Sequence, residues 1–421
     1  MDKLVIEGGR PLRGDVAVSG AKNAALPILA ATLLTGERCV IRNVPRVMDV
    51  LTMLKILRIL NAKAELDGNT ITVEAGHALK HVAPYRLVST MRASICALGP
   101  LLGRLGKAQV SMPGGCVIGP RPIDLHIKGI AALGAKVRIE HGYVLAEAKR
   151  LRGHRVYLGG AFGSSVLATG NIMMAAALAS GHTIIENAAC EPEVVDLANF
   201  LVKMGAKIRG QKTHVIEIEG VKRLHGADHS IIADRIEAGT FMMAAAITGG
   251  DVTIRRVRYE DLGAVVDRLT AAGVAIEELD GSLVRVRGSR AIRAVDVTTL
   301  PYPGFPTDLQ AQTMALMSVA GGLSVITEKI YPERFMHIAE LNRMGASIML
   351  EGASAIIKGV PTLSGAPVMA SDLRASAALV LAGLVAKKRT EISRVYHLDR
   401  GYEGIERKFA RLGARIHREH E

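Results

Sequence analysis

Six places along the chain set charged, amide or hydroxyl side chains at the start of an otherwise apolar stretch. They carry Lys22 and Asn23; Arg92; Ser164 and Ser165; Asp234, Arg235 and Glu237; Asp308; and Asp372 and Arg374. The apolar stretches read as helices, and the free N–H groups and dipole at a helix N-terminus favour anions. Ser, Asp and Asn at such places are also the residues that cap helices with their own side chains. Lys and Arg are unfavourable there unless an anion lies beside them. Two sources for that anion stand: an internal carboxylate such as Asp234 or Asp372, or a phosphate or carboxylate on a ligand. A further stretch, SMPGGCVIGPRP (111–122), sets Cys116 after two glycines and shortly before Arg121. Pro113, Pro120 and Pro122 exclude a regular helix, so Cys116 belongs to a turned loop. It is either a reactive thiol near a guanidinium or a small apolar residue in a turn.

The elements that must position these residues repeat. A helix-ending phrase recurs as LNAKAEL, LGAKVRI, MGAKIRG, AGVAIEE, MGASIML and LGARIHR, starting at Leu60, Leu133, Met204, Ala272, Met344 and Leu412, about seventy residues apart. In five of them a glycine suits the left-handed stop of a helix, and Asn61 takes that place in the first. The apolar alternation that follows suits a strand. A small-residue helix followed by an alternating strand recurs too, as in MAAALASGHTIIENA and MAAAITGGDVTIRRV. Each unit reads β-α-β-α-β-β, and the fold class is α/β. Six units divide into two domains of three, between the third and the fourth, with a solenoid of six equal units as the competing layout. The Met pairs 173–174 and 242–243 read as helix core.

Composition narrows the function. The 421 residues carry 53 Lys and Arg against 40 Asp and Glu, a formal charge of +13. Aromatics are 3% with no Trp, and the cations are dispersed, so stacking platforms for single-stranded nucleic acid are lacking. Small phosphorylated or carboxylated molecules fit the charge better, and a solvated basic surface accounts for part of it. Cys39, Cys96, Cys116 and Cys190 form neither a disulfide framework nor a metal-ligand spacing. The longest apolar run, 375–386, is too short to span a bilayer, and the N-terminus lacks a signal pattern. A soluble cytoplasmic protein is expected, with neither nucleic acid nor membrane as partner.

The motifs SGAKNAALP (19–27), MRASI (91–95), PGGCVIGPRPIDLHI (113–127), DRIEAGT (234–240), PGFPTDLQAQ (303–312), ASDLRASAAL (370–379) and HLDRGYEGIE (397–406) together resemble the UDP-N-acetylglucosamine 1-carboxyvinyltransferases, a family of enolpyruvyl transferases. The resemblance spans nearly the whole chain. It implies two inside-out α/β barrels of three repeats each, residues 22–232 in one and 1–21 with 233–421 in the other. It implies transfer of the enolpyruvyl group of phosphoenolpyruvate to the 3-hydroxyl of UDP-N-acetylglucosamine with release of phosphate, opening peptidoglycan precursor synthesis. No cofactor or metal is implied.

The resemblance also implies roles. Lys22, Asn23, Arg121 and Arg400 contact phosphoenolpyruvate. Arg92, Arg121, Pro122, Ile123, Asp124, Leu125, Gly163, Ser164, Ser165, Val166, Asp308 and Ile330 contact the sugar nucleotide. Cys116 is the proton donor and Asp308 the base, with Arg400 and Lys22 completing the catalytic set. His126 is either a ligand contact or a core or capping histidine. Three positions depart from the family pattern: Met48, where some members carry lysine; GSSVLATGNI (163–172); and Cys190, where arginine is usual. Two other functions remain as alternatives, the shikimate 3-phosphate enolpyruvyl transferase and an idle paralogue that binds UDP-sugar or basic-groove partners.

Overall fold

The computed structural model describes residues 2–88, 91–112, 122–161, 163–289 and 291–420. Cys116 and Arg121 lie outside the described residues.

The chain forms two compact units. Of the described residues, one takes 2–19 and 233–420, the other 20–112 and 122–232. Each has its own apolar core. Among the described residues, six four-stranded sheets share one plan. In one of them Val82–Ala83 pairs parallel with Lys107–Ser111, which pairs antiparallel with Tyr143–Glu147, which pairs antiparallel with Lys136–Glu140. Alternation drives each strand: Thr70–Glu74 buries Ile71 and Val73 and exposes Glu74. The hairpin between Lys136–Glu140 and Tyr143–Glu147 turns on His141 and Gly142, both at positive φ, as a two-residue turn of matching twist requires.

Three repeats borrow a strand from elsewhere in the chain, and in the fourth repeat it is Arg13–Ala17, parallel to Asp251–Arg255. Asp228–Ser230 pairs parallel with Arg38–Arg42 and so serves as first strand of the first repeat. Asp2–Glu7 lies between Arg389–Ser393 and Arg415–His420, antiparallel to both, and completes the last repeat. In both units strands from one end of the unit's chain complete repeats formed by the rest of it.

Each repeat sends one helix into the core. In the second unit these are Lys22–Ala31, Leu98–Leu105 and Val166–Ala176; in the first, Arg235–Ile247, Gln310–Met317 and Leu373–Val385. They are apolar nearly all round, as a helix buried on every side must be. Met173, Met174, Met242 and Met243 are fully buried, and each such side chain contributes roughly 1.5–3 kcal/mol on leaving water. Small residues let the helices approach. A Cβ on Gly99 would overlap the Asn171 carbonyl, and the Gly99 N–H instead donates to Asn171 Oδ1 at 2.9 Å. With helices inside and sheets outside, each unit is an inside-out α/β barrel. Among the described residues no helix is long and apolar enough to cross a membrane.

Candidate functional site

The core helices bury their bodies, so their polar entrances are left to do chemistry. In the unit carrying 233–421, two entrances are capped by their own aspartates. Asp234 Oδ1 accepts from the Ile236 and Glu237 N–H groups at 2.8 and 3.1 Å, and Asp372 Oδ1 from those of Arg374 and Ala375 at 2.8 and 3.1 Å. Both carboxylates cap their helices, and Asp234 also supports the charge on Arg374 and Asp372 that on Arg334.

The anion beside Arg374 is Asp308. Asp308 sits in the single turn Thr307–Leu309, set by the preceding Pro-Gly-Phe-Pro. Its Oδ2 accepts from Arg374 Nη2 at 2.7 Å and its Oδ1 from Arg334 Nη1 at 2.9 Å. The arginine side chains are 6% (Arg334) and 3% (Arg374) exposed, whereas that of Asp308 is 24% exposed. Burial, the largest influence, works against both guanidinium charges. Asp308, together with Asp372 for Arg334 and with Tyr402 and Asp234 for Arg374, outweighs it and holds both arginines above their usual range. Arg374 also lies over the ring of Tyr402, 5.4 Å from its centroid. The Tyr402 hydroxyl is 2.9 Å from Thr240 Oγ1 and accepts from Gln312 Nε2 at 3.1 Å. Gln312 Nε2 donates as well to the Asp308 carbonyl at 3.1 Å. Burial raises the tyrosine's pKa despite Arg374, so the phenol stays protonated.

Arg400 ends the short turn Val395–Arg400 and is half-buried. The residues after it pack on the same helix entrance: Gly401 lies against Leu373, and Tyr402 lies under Arg374. Asp399, just before it, is held by Arg418 through bonds of 2.6 and 2.9 Å. His397 is kept neutral by burial and then by Arg400, with Asp372 opposing. Ile330 joins the cluster through its backbone, whose N–H donates to Glu328 Oε1 at 2.8 Å. The structure therefore brings Asp308, Ile330 and the Arg400 turn to one neighbourhood.

In the other unit Lys22 opens its helix without a side-chain cap, and its Nζ donates to Asp49 Oδ2 at 3.0 Å. Both side chains are nearly buried, so the anion that justifies this lysine is internal. Asn23 follows on the same helix and shares a small cleft with Cys96, Val166 and Glu193. Arg92 opens the turn Arg92–Ala97 and donates to the Pro122 carbonyl at 3.3 Å. Ile123 is buried, Pro122 and Asp124 are exposed, and Leu125 lies beside Gly160. Gly160 pairs with Gly163 in a short hairpin, and Ser165 caps Val166–Ala176 by accepting from Ala168 N at 3.3 Å. The 122–125 and 163–166 stretches and Arg92 thus lie together.

His126 is a core histidine. Its Nδ1 takes a hydrogen bond of 2.8 Å from Asn171 Nδ2, and burial, then Arg92, push its pKa down to about 3. Cys190 is buried, with Sγ 3.4 Å from His214 Nδ1, and burial raises its pKa. No cation stands at that position. Met48 is exposed. Sequence reasoning missed Arg334, Tyr402, Glu328 and Asp49. Tyr402 stands in HLDRGYEGIE beside Arg400, but nothing in the spacing shows that its ring carries Arg374.

An inside-out pair of three-repeat barrels with an arginine-held carboxylate at a core-helix entrance defines a class, and comparison with known proteins agrees. The chain matches the family model described as EPSP synthase (3-phosphoshikimate 1-carboxyvinyltransferase) over residues 6–409, and it belongs to this enolpyruvyl transferase family. Within the family its similarity is to one branch. It is 57% identical over 418 residues, 99% of both chains, to the UDP-N-acetylglucosamine 1-carboxyvinyltransferase of Geobacter metallireducens. It is 54% identical over 421 residues, all of both chains, to the protein of that name from Nitratidesulfovibrio vulgaris. Among solved structures, the enolpyruvyl transferase NikO from Streptomyces tendae superposes with a TM-score of 0.89 at 25% identity, covering 99% of this chain and 98% of that one. An EPSP synthase from Acinetobacter baumannii shares the fold at a TM-score of 0.78 and 18% identity, with full coverage of both chains.

Proposed function

We propose that this protein transfers the enolpyruvyl group of phosphoenolpyruvate to the 3-hydroxyl of UDP-N-acetylglucosamine, releasing phosphate, as the first committed step of peptidoglycan precursor synthesis. The observation that carries the reading is full-length identity of 54–57% to enzymes of that name. The shikimate 3-phosphate reaction has less support, because the EPSP synthase fold match stands at 18% identity. The reaction belongs in the cytoplasm, in keeping with three free, buried cysteines among the described residues.

The residues present suit the chemistry. The sugar hydroxyl adds to C2 of the enol while a proton reaches C3; the ketal then loses phosphate from C2 and a proton from C3, restoring the double bond. Asp308 accepts the hydroxyl proton. With Arg334 and Arg374 at 2.9 and 2.7 Å stabilising its carboxylate, that transfer accompanies C–O bond formation rather than preceding it. Cys116 delivers the proton to C3, which requires it to be a thiol when substrate binds. Lys22, Arg121 and Arg400 stabilise the phosphate and carboxylate, most strongly as phosphate charge develops on departure. Asn23 adds a neutral donor. Arg92, Pro122, Ile123, Asp124, Leu125, Gly163, Ser164, Ser165, Val166 and Ile330 hold the sugar nucleotide.

The test is phosphate release from phosphoenolpyruvate with UDP-N-acetylglucosamine or shikimate 3-phosphate as acceptor. Release with the first alone supports the reading. Release with the second alone moves the protein to the other branch, and release with neither defeats both.

A further inference from the structure

Glu328 ends the strand Leu323–Glu328 and is fully buried. A buried carboxylate persists only when hydrogen bonds replace its lost water. Glu328 Oε1 accepts from the Thr299 hydroxyl at 2.6 Å and from the Ile330 and Tyr331 N–H groups at 2.8 and 2.9 Å. The Lys329 N–H donates to Thr299 Oγ1 at 3.0 Å. The Thr299–Glu328 pair therefore ties down the N–H groups of three consecutive residues and sets the path of the chain through Ile330. The other oxygen, Oε2, accepts from the Thr307 hydroxyl at 2.8 Å. Thr307 Oγ1 in turn accepts from Arg334 Nη1 at 3.0 Å, the same nitrogen that donates to Asp308 Oδ1.

One carboxylate thus fixes two groups at once, the Ile330 backbone by one oxygen and the Asp308–Arg334 pair by the other. We infer that Glu328 is a positioning residue that sets the spacing between Ile330 and Asp308, and so selects for the sugar-nucleotide acceptor without touching it. The inference rests on the proposed reaction, which gives both groups to the acceptor side. Burial of a carboxylate bonded to backbone N–H groups and neutral hydroxyls makes the arrangement stiff. Each donor has one proton aimed at it, so the geometry depends on an acceptor that carries no hydrogen of its own.

The experiment compares the parent with Glu328→Gln and Thr307→Val, with kcat and KM for each substrate and calorimetric affinity for UDP-N-acetylglucosamine. In Glu328→Gln an NH2 group replaces one acceptor, and KM and Kd for UDP-N-acetylglucosamine should rise about tenfold or more, with KM for phosphoenolpyruvate within about twofold of the parent. Thr307→Val leaves the bonds to Ile330 and Tyr331 in place and removes only the link to Arg334, so kcat should fall about tenfold with a smaller change in acceptor KM. If Glu328→Gln does not fold, Thr307→Val decides alone. Folded variants with parental kcat, KM and Kd, even if less stable, overturn the inference, as does an equal rise in KM for both substrates. A parent that neither binds UDP-N-acetylglucosamine nor turns over instead overturns the proposed reaction.

Discussion

Replacing Asp308 with asparagine keeps the side chain's shape and removes its charge, leaving Arg334 and Arg374 facing each other without their shared anion. Two unit charges about 4 Å apart attract by about 4 kcal/mol at an effective dielectric of about 20. Removing one partner from a buried pair costs about 3–5 kcal/mol, because the remaining charge stays buried. Asparagine retains one acceptor oxygen, which returns part of this, so a loss of about 3 kcal/mol is expected. In a folding unit of about 200 residues that lowers the melting temperature by roughly 6–12 °C. Adding Arg334→Met to the asparagine variant removes one uncompensated charge and should restore part of the loss. Calorimetric melting of the parent, both single variants and the double variant measures this. The same proteins separate chemistry from stability: if Asp308 takes the hydroxyl proton, kcat below the melting range falls about 10²–10⁴-fold in the asparagine variant. An unchanged melting temperature would refute the electrostatic reasoning. A normal kcat in a destabilised variant would leave Asp308 as a counter-ion and remove it from the reaction.

Other outcomes follow from the same geometry. Asp49→Asn should free Lys22 from its 3.0 Å partner and raise KM for phosphoenolpyruvate, with little change for the sugar nucleotide; equal changes in both would count against the assignment of Lys22. His126, at about 3, and His337, at about 4, have folded pKa values below the ordinary 6.5, chiefly through burial. Their contribution to stability is therefore present above about pH 6.5 and lost as pH falls toward those values, by up to about 1.4 kcal/mol per pH unit for each histidine. Urea unfolding at pH 7.5 and 5.0 should show this loss, and equal midpoints would contradict it. Cys116→Ala should abolish product. Cys116→Asp should keep activity with a more acidic optimum and resist a small epoxide phosphonate, since an aspartic acid ordinarily titrates at about 3.9 and is mostly ionised near neutrality. Full activity of the alanine variant at neutral pH would reduce Cys116 to a turn residue.

The repeat was legible because its signals are local: a glycine or Asn61 at each helix stop, and alternation in strands such as Thr70–Glu74. The helix entrances were legible for the same reason, since Lys and Arg at an N-terminus are costly without an anion. Which anion answers which cation was not legible. Asp308 and Arg374 lie 66 residues apart, and Lys22 and Asp49 lie 27 apart, so only folding brings each pair together. Asp234 and Asp372 looked like partners because they were near in sequence, yet each gives its Oδ1 to the backbone N–H groups of its own helix start. Strand exchange was hidden likewise, because nothing local in Asp228–Ser230 points to Arg38–Arg42 as its neighbour. His126 stood between two readings until its contact with Asn171 placed it in the core.

The central claim is that the carbon–oxygen bond of phosphoenolpyruvate breaks and its three-carbon unit moves to the sugar. Phosphoenolpyruvate carrying a heavy-oxygen label at the bridging position, incubated with the protein and UDP-N-acetylglucosamine, tests this in one mass spectrum. The account expects the label in the released phosphate and none in the enolpyruvyl ether of the sugar nucleotide. Label retained in pyruvate or in the organic product would mean phosphorus–oxygen cleavage, and would contradict enolpyruvyl transfer.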